Sequence, residues 1–369
     1  MITGYTIFLK EVTMLSSTFT KKLNISYPII QAPMAGGITT PELVAAVSNA
    51  GGLGSIGSGY MTPDALCEVI QKTKDRTDQP FSVNLFVPSD DEVTYSREEL
   101  KEAAQLLHPF YTELDIEIQE LPTDFEEPFE ELIDVVIDEG VPIVSFTFGI
   151  PSEETVSRLK RAGAFVIGTA TTVNEAIHLE KAGMDAIVAQ GSEAGGHRGT
   201  FSTSYEQAMV GTMALVPQVV DHVTVPIIAA GGIMDARGVL AAEVLGASAV
   251  QLGTAFLTCE ESGTNPIHQK TILESFEDST VVTNVFSGKP ARGIHNYFIE
   301  QMNDYEDAIP AYPFQNTLTR ALRKEAGKQQ NIQFMSLWAG QGARLSKKTK
   351  AVDLINWIVR EYEKLVAKK

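Results

Sequence analysis

Cysteine is scarce: Cys67 and Cys259 are the only two in 369 residues. Two thiols cannot build a disulfide framework or a multi-cysteine metal site, and such usage points to a reducing compartment. Basic residues are also in deficit, 29 Lys and Arg against 47 Asp and Glu, for a net charge of −18. Without a cationic excess to displace counterions, nucleic acid is not expected as a partner. No run approaches the ~18 consecutive apolar residues of a membrane span, so no membrane partner is expected. Neither a Gly-x-Ser-x-Gly elbow nor a Walker-type loop is present, which removes serine-hydrolase and P-loop readings. Residues 1–13 lack a long apolar core and a small-residue cleavage site, so no signal peptide is expected and the chain reads as cytoplasmic. Met14 is an alternative start, and residues 1–13 are expected to be dispensable for chemistry.

What is present is a globular balance of 44% apolar and 21% charged residues. Eight short apolar runs recur: 29–34, 53–56, 81–86, 142–148, 164–169, 185–190, 226–230 and 249–253. Continuous apolar runs mark strands covered on both faces. Helix signals separate them. Thr40-Pro41-Glu42 and Thr62-Pro63-Asp64 place a cap before a first-turn proline. Thr172 to Glu175 is a capping box, and Gly183 and Gly246 stop helices. Eight β/α units in order predict a TIM (β/α)8 barrel.

Two stretches exceed a minimal barrel. Between Ser89 and Gly140 lie 18 acidic residues against Arg97 and Lys101 alone, which reads as a solvated helical insertion, with helices expected over 96–107 and 128–139. After the eighth strand, helices are expected near 268–276, 315–328 and 351–367. The organisation expected is therefore an extension (1–13), a barrel (14–258) carrying the acidic insertion (88–140), and a helical C-terminal extension (259–369). The last would pack on the barrel mouth as a lid or second lobe.

Barrel chemistry sits at the C-terminal ends of the strands. Gln31-Ala32-Pro33-Met34-Ala35-Gly36-Gly37 follows the first, its small residues admitting a flat ligand close to the backbone. Gly231-Gly232 and Gly253-Thr254 end the seventh and eighth, where barrels bind phosphate. One glycine pair is equally a tight turn; two at consecutive strand ends suggest a phosphomonoester, as in a mononucleotide. Asn84 and Gln190 offer amide donors and acceptors that suit a flavin pyrimidine edge or, equally, cap loops. Among six histidines, His197 stands out in the glycine-rich loop after the sixth strand, as a candidate general base. With no cysteine or acidic partner at ligand spacing, no metal is expected there. His108, His178, His222 and His268 read as surface residues, and His295 as a weaker site candidate. Arg198 and Arg292 could attract an anionic substrate, or Arg198 could pair with Glu193. Tyr312 and Phe314 could wall an apolar pocket.

Several segments together resemble nitronate monooxygenase, formerly called 2-nitropropane dioxygenase. They are Gln31 to Gly37, Ala46 to Gly54, Ser145 to Gly149, Gln190 to Phe201, Ala229 to Ile233 and Leu337 to Gly342. The resemblance covers about residues 14–345, and the Trp338-Ala339-Gly340-Gln341 tail favours class I. It implies FMN in a TIM barrel, with no nicotinamide requirement. The substrates implied are alkyl nitronates such as propionate 3-nitronate and O2, and the products nitrite and a carbonyl compound, in detoxification. By the same resemblance, the FMN contacts would be Pro33, Met34, Asn84, Gln190, Gly195, Gly196, Gly231, Gly232, Gln251, Leu252, Gly253, Thr254 and Gln341, with His197 as catalytic base. A homodimer is compatible with the sequence. The nearest rival is an FMN-dependent enoyl-acyl-carrier-protein reductase using NAD(P)H, which shares the Gly-Gly-His signature; a non-enzymatic flavin module is another. The acidic insertion and the Trp-Ala-Gly-Gln tail count against the reductase.

Overall fold

Each of the eight apolar runs carries a strand in the computed structural model, which describes residues 17–88, 94–117, 120–121 and 128–367. The strands are β1 (Ile29–Gln31), β2 (Gly54–Gly57), β3 (Phe81–Phe86), β4 (Ile143–Thr147), β5 (Phe165–Ala170), β6 (Ala186–Gln190), β7 (Gly196–His197), β8 (Ile227–Ala230), β9 (Ala249–Leu252), β10 (Thr280–Thr283) and β11 (Ala291–Ile294). Eight of them run parallel in the order β1-β9-β8-β6-β5-β4-β3-β2. A bridge between Ile30 and Leu53 closes the ring. The Gln31 side chain strengthens that seam: its Oε1 accepts from the Ser55 N–H at 3.0 Å and its Nε2 donates to the Ser55 carbonyl at 3.1 Å. An amide side chain thus does the work of a ladder rung where the backbone pairing is thinnest. The fold is the TIM barrel expected.

The capping signals act as read. Thr40 and Thr62 accept from the third backbone N–H of their helices, each with proline at the first turn. Both Ser96 with Glu99 and Thr172 with Glu175 form reciprocal capping boxes. The helix Thr18–Leu23, which the sequence reading did not foresee, inserts Phe19 and Leu23 among Ile30, Ile143, Ile167 and Ile228 and plugs the barrel interior from below. Residues 1–13 and Met14 lie outside the described residues.

The acidic insertion divides. Its helix Phe129–Asp138 lays Leu132, Ile133 and Val136 on the barrel core, whereas its helix Arg97–Glu113 turns Leu107, Phe110 and Tyr111 toward the C-terminal region. Tyr111 Oη donates to the Leu318 carbonyl at 2.9 Å. Together they build a second apolar core beside the barrel mouth. The C-terminal region is not wholly helical. Its β10 and β11 pair antiparallel, and β11 pairs with β7 through Ala291–His197 and Arg292–Gly196. Alternation in so short a hairpin is a weak signal, and a two-residue strand gives none. The final helix, Ala351–Val366, packs between the barrel helices Pro41–Asn49 and Ala236–Val244.

At the centre of the second core, Phe298 is fully buried, with the rings of Phe110 and Phe286 at 4.9 and 4.8 Å. Phe298→Ala is expected to cost about 3–5 kcal/mol. A denaturant titration should show the midpoint moving down with an unchanged slope, because the loss is packing and not a change in denatured compactness.

Candidate active site

The barrel mouth and the second core enclose a cavity of about 1260 Å³, open mouth included. Its floor is made by strand-end residues: Pro33, Met34, Asn84, Gln190, Gly231, Gly232, Gln251, Gly253 and Thr254. The loop after β6 adds Gly195, Gly196 and His197, and the C-terminal region adds Trp338, Ala339 and Gly340. Two residues named from the resemblance fall outside this lining. Leu252 is fully buried and uses its carbonyl to accept from the Ala32 N–H at 2.8 Å. Gln341 is exposed, and its N–H donates to the Glu193 carbonyl at 3.0 Å.

Both amides have partners within the protein. Asn84 Nδ2 donates to Ser145 Oγ at 2.9 Å and to Thr147 Oγ1 at 3.2 Å, which fixes its head across β3 and β4. Gln190 Nε2 donates to the His197 carbonyl at 3.1 Å, and its Oε1 accepts from the Gly199 N–H at 2.9 Å. Gln190 thereby clamps both sides of the histidine loop. That loop is also held by β11 through its backbone and by Ser287 through the imidazole.

His197 Nε2 lies 2.8 Å from Ser287 Oγ. The Ser287 hydroxyl donates to the Lys289 carbonyl at 3.0 Å. Its oxygen is then free to accept from Nε2–H, which leaves the lone pair on Nδ1. Burial, reinforced by the charges of Lys289 and Arg323, pushes the imidazole pKa down to about 3. The base form therefore persists throughout the neutral range and is lost only as pH falls toward 3. A kcat/KM profile for a neutral nitroalkane is expected to show no imidazole limb between about pH 5 and 8. A limb near the ordinary histidine value of about 6.5 would contradict this assignment.

Aromatic rings wall one side. Tyr60 meets Phe86 at 6.0 Å, Phe86 meets Phe148 at 4.6 Å, and Phe148 meets His197 edge-on at 5.8 Å. Tyr312 packs on these rings, 6.0 Å from Phe148 and 6.4 Å from His197, without lining the cavity itself, and Phe314 stands against Tyr95. Tyr60 and Phe148 hold φ of +73° and +79°. Bulky residues rarely adopt this region, and strain of this kind persists where surrounding packing over-determines it.

Other expectations are corrected. Arg198 and Arg292 do not face the cavity. Arg198 is buried and donates to the carbonyls of Gly191, Gln190 and Ala208 at 2.6, 3.1 and 3.2 Å. Arg292 is buried and donates to the Ser192 carbonyl at 3.0 Å. Arg198 does not pair with Glu193, whose carboxylate accepts from Thr212 N–H and Oγ1 at 2.9 and 2.8 Å. His268 is buried, with Nε2 3.2 Å from the Trp338 carbonyl. His295 is exposed, as are His178 and His222, and His108 is half-buried. Ser287, Lys289 and the rings of Tyr60 and Phe86 carried no local signal, because folding alone brings them to the histidine.

Among the described residues, no group of three or more His, Cys, Asp and Glu is placed to hold a metal ion. None of the described helices is long and apolar enough to cross a membrane.

Comparison with known proteins agrees with this geometry. The family model for nitronate monooxygenase matches residues 16–361. A probable nitronate monooxygenase of Staphylococcus saprophyticus is 52% identical over 354 residues, spanning 95% of this chain and 99% of the relative. Its counterpart in Staphylococcus haemolyticus is 50% identical over 353 residues, spanning 95% and 98%. Among solved structures, nitroalkane oxidase from Streptomyces ansochromogenes superposes with a TM-score of 0.88 at 38% identity, covering 95% of this chain and 99% of that one. FabK from Thermotoga maritima gives 0.76 at 33% identity, covering 96% and 98%. With a family model matched over nearly its whole length and half of its residues shared with those relatives, the chain belongs to the nitronate monooxygenase family, whose members are flavin-dependent oxidoreductases.

Proposed function

We propose that this protein is an FMN-dependent monooxygenase that oxidises alkyl nitronates with O2 to a carbonyl compound and nitrite, propionate 3-nitronate among them, as a cytoplasmic detoxifying enzyme. A homodimer is the assembly proposed. The observation that carries the reading is the His197 imidazole, 2.8 Å from Ser287 Oγ, lining a cavity floored by residues at the barrel's strand ends.

The residues present fit a flavin mononucleotide. Gly231 and Gly232 run at φ of +110° and +71°, and with Gly253 and Thr254 they would receive the phosphate. The small loop at Pro33 and Met34 and the side chains of Asn84, Gln190 and Gln251 would border the ring system. Bound flavin supplies the electron transfer and the oxygen chemistry. The protein's own part is positioning and proton handling. His197 Nδ1 removes the α-proton of a neutral nitroalkane; a nitronate arrives without that proton and bypasses the step. Ser287 keeps the proton on Nε2, and Gln190 fixes the loop against the strand end. The aromatic wall excludes water from the reacting carbon.

The deciding experiment is aerobic turnover of flavin-replete protein with propionate 3-nitronate, following oxygen uptake and nitrite release without NAD(P)H. Nitrite release is expected. No turnover, together with flavin reduction by NAD(P)H, would establish the enoyl-acyl-carrier-protein reductase in its place. That alternative has less support, since the nitroalkane oxidase structure matches better than FabK.

A further inference from the structure

Ser287 holds the imidazole, and its own place is set from outside the barrel. The turn that carries it, residues 284–290, joins β10 to β11. Its ends are anchored in the small sheet: Thr283 pairs with Ala291, and the Pro290 carbonyl accepts from the Arg198 N–H at 2.8 Å. Between them, two side chains of the C-terminal region reach in. Gln315 Nε2 donates to the Val285 carbonyl at 2.7 Å, and Thr319 Oγ1 donates to the Phe286 carbonyl at 2.5 Å. These are the two residues immediately before Ser287. Gln315 lies in the helix Phe314–Leu318, and Thr319 joins that helix to Arg320–Lys328.

Both side chains are buried, in a region where Val285, Phe286, Leu318 and Leu322 belong to the second apolar core. A buried amide or hydroxyl costs free energy unless it is bonded, and apolar residues would fill such a core without that demand. Gln315 is only half used: its Oε1 is buried and meets no donor among the described residues. Stability alone does not favour a stranded oxygen. Thr319 is oriented in turn by Arg323, whose Nε donates to Oγ1 at 3.1 Å. A guanidinium only donates, so the threonine proton is left for a carbonyl. Phe286 offers the near one, and the Asn316 carbonyl stands at 3.4 Å. The acidic insertion braces the same helices from their other side. Tyr111 Oη bonds the Leu318 carbonyl, and Gln329 Nε2 donates to the Leu114 carbonyl at 2.8 Å.

We propose that Thr319 and Gln315 are positioning residues for proton abstraction, pinning the Ser287 turn so that its hydroxyl meets His197 Nε2. The inference rests on the nitroalkane chemistry proposed above. Neither residue lines the cavity, so both act through Ser287 and not on the substrate. With two consecutive carbonyls held, the backbone leading into Ser287 has little freedom, and the imidazole keeps its lone pair on Nδ1.

The test uses flavin-loaded wild type, Thr319→Val and Thr319→Ser. Valine keeps the shape without the hydroxyl, and serine keeps the hydroxyl. Thr319→Val is expected to lower kcat/KM for nitroethane about tenfold or more, and for ethylnitronate less than about threefold, because only the first substrate needs an aligned base. Thr319→Ser should retain both within about threefold. An equal loss on both substrates, or no loss, would overturn the proposal. Gln315→Met removes the second tie together with its stranded oxygen. It is expected to show the same selective loss, and it decides the case if Thr319→Val does not fold. A second measurement needs no turnover: long-range proton–nitrogen correlation spectra of protein with isotope-labelled histidine, the signal assigned through His197→Asn. Wild type is expected to show the Nε2–H form alone, and Thr319→Val a mixture of both tautomers. The same single form in Thr319→Val would overturn the proposal. If the wild type oxidises neither substrate, the functional reading has failed, and the spectra still decide whether Thr319 sets the imidazole.

Discussion

His197→Asn is expected to lower kcat/KM for a neutral nitroalkane such as nitroethane by about 10²–10⁴-fold, the range of a lost general base. The same variant should change turnover of ethylnitronate by less than about tenfold. The asymmetry follows from the proton. Asparagine ends at the place of Nδ1, short of the Ser287 hydroxyl that holds Nε2, and its amide nitrogen offers no basic lone pair. Only the neutral nitroalkane needs one. Initial rates on both substrates with one enzyme preparation separate the two roles, and flavin content should match wild type. An equal loss on both would place His197 in substrate binding instead. Lys289→Met adds a check through electrostatics. The lysine's charge helps to hold the imidazole pKa down, so its removal should raise that pKa and bring an acid limb toward the measurable range. The direction is fixed by sign: a lost cation stabilises the protonated ring.

The barrel was legible because its signals are local. Continuous apolar strands and capped helices lie in consecutive stretches of chain, and every run from 29–34 to 249–253 became a strand. Most of the cavity floor was legible for the same reason, since barrel chemistry is confined to strand ends. What escaped depends on contacts across long sequence separations. Ser287 stands 90 residues from His197, and nothing in a Ser-Gly-Lys turn announces it. Arg198 reads as an accessible cation beside a glycine-rich loop, yet it is spent on three backbone carbonyls. A sequence cannot tell a guanidinium that ties a loop together from one that awaits a ligand. The acidic insertion misled differently. Its charge suggested a solvated helical insertion, but its two helices each bury an apolar face, and in two separate cores.

Gly195→Ala and Gly253→Ala are expected to separate architecture from cofactor. A Cβ at Gly195 would lie 2.5 Å from both the Ala339 carbonyl carbon and the Gly340 nitrogen. These are backbone atoms and cannot swing aside as a flexible side chain does. The contact belongs to a three-way junction beneath the cavity. Gly340 N–H donates to Thr254 Oγ1 at 2.9 Å, and Gln341 N–H donates to the Glu193 carbonyl at 3.0 Å. Parting the loop from the C-terminal segment therefore disturbs both bonds and the side of the cavity they build. The expected cost is about 1–3 kcal/mol from overpacking, visible as a lower melting temperature even in flavin-free protein. Flavin affinity should fall with it, by about tenfold for each 1.4 kcal/mol that reaches the cavity. Gly253 is the contrast. A Cβ there meets only Ala32 Cβ, at 3.6 Å, an ordinary contact. Gly253→Ala should leave the flavin-free melting temperature within about 1 °C of wild type and still weaken flavin binding, because its methyl occupies space that the cofactor needs. Fluorescence titration of both apo-proteins with FMN, paired with their melting curves, tests the assignment. If Gly253→Ala binds FMN as tightly as wild type, the phosphate does not sit at Gly253 and Thr254.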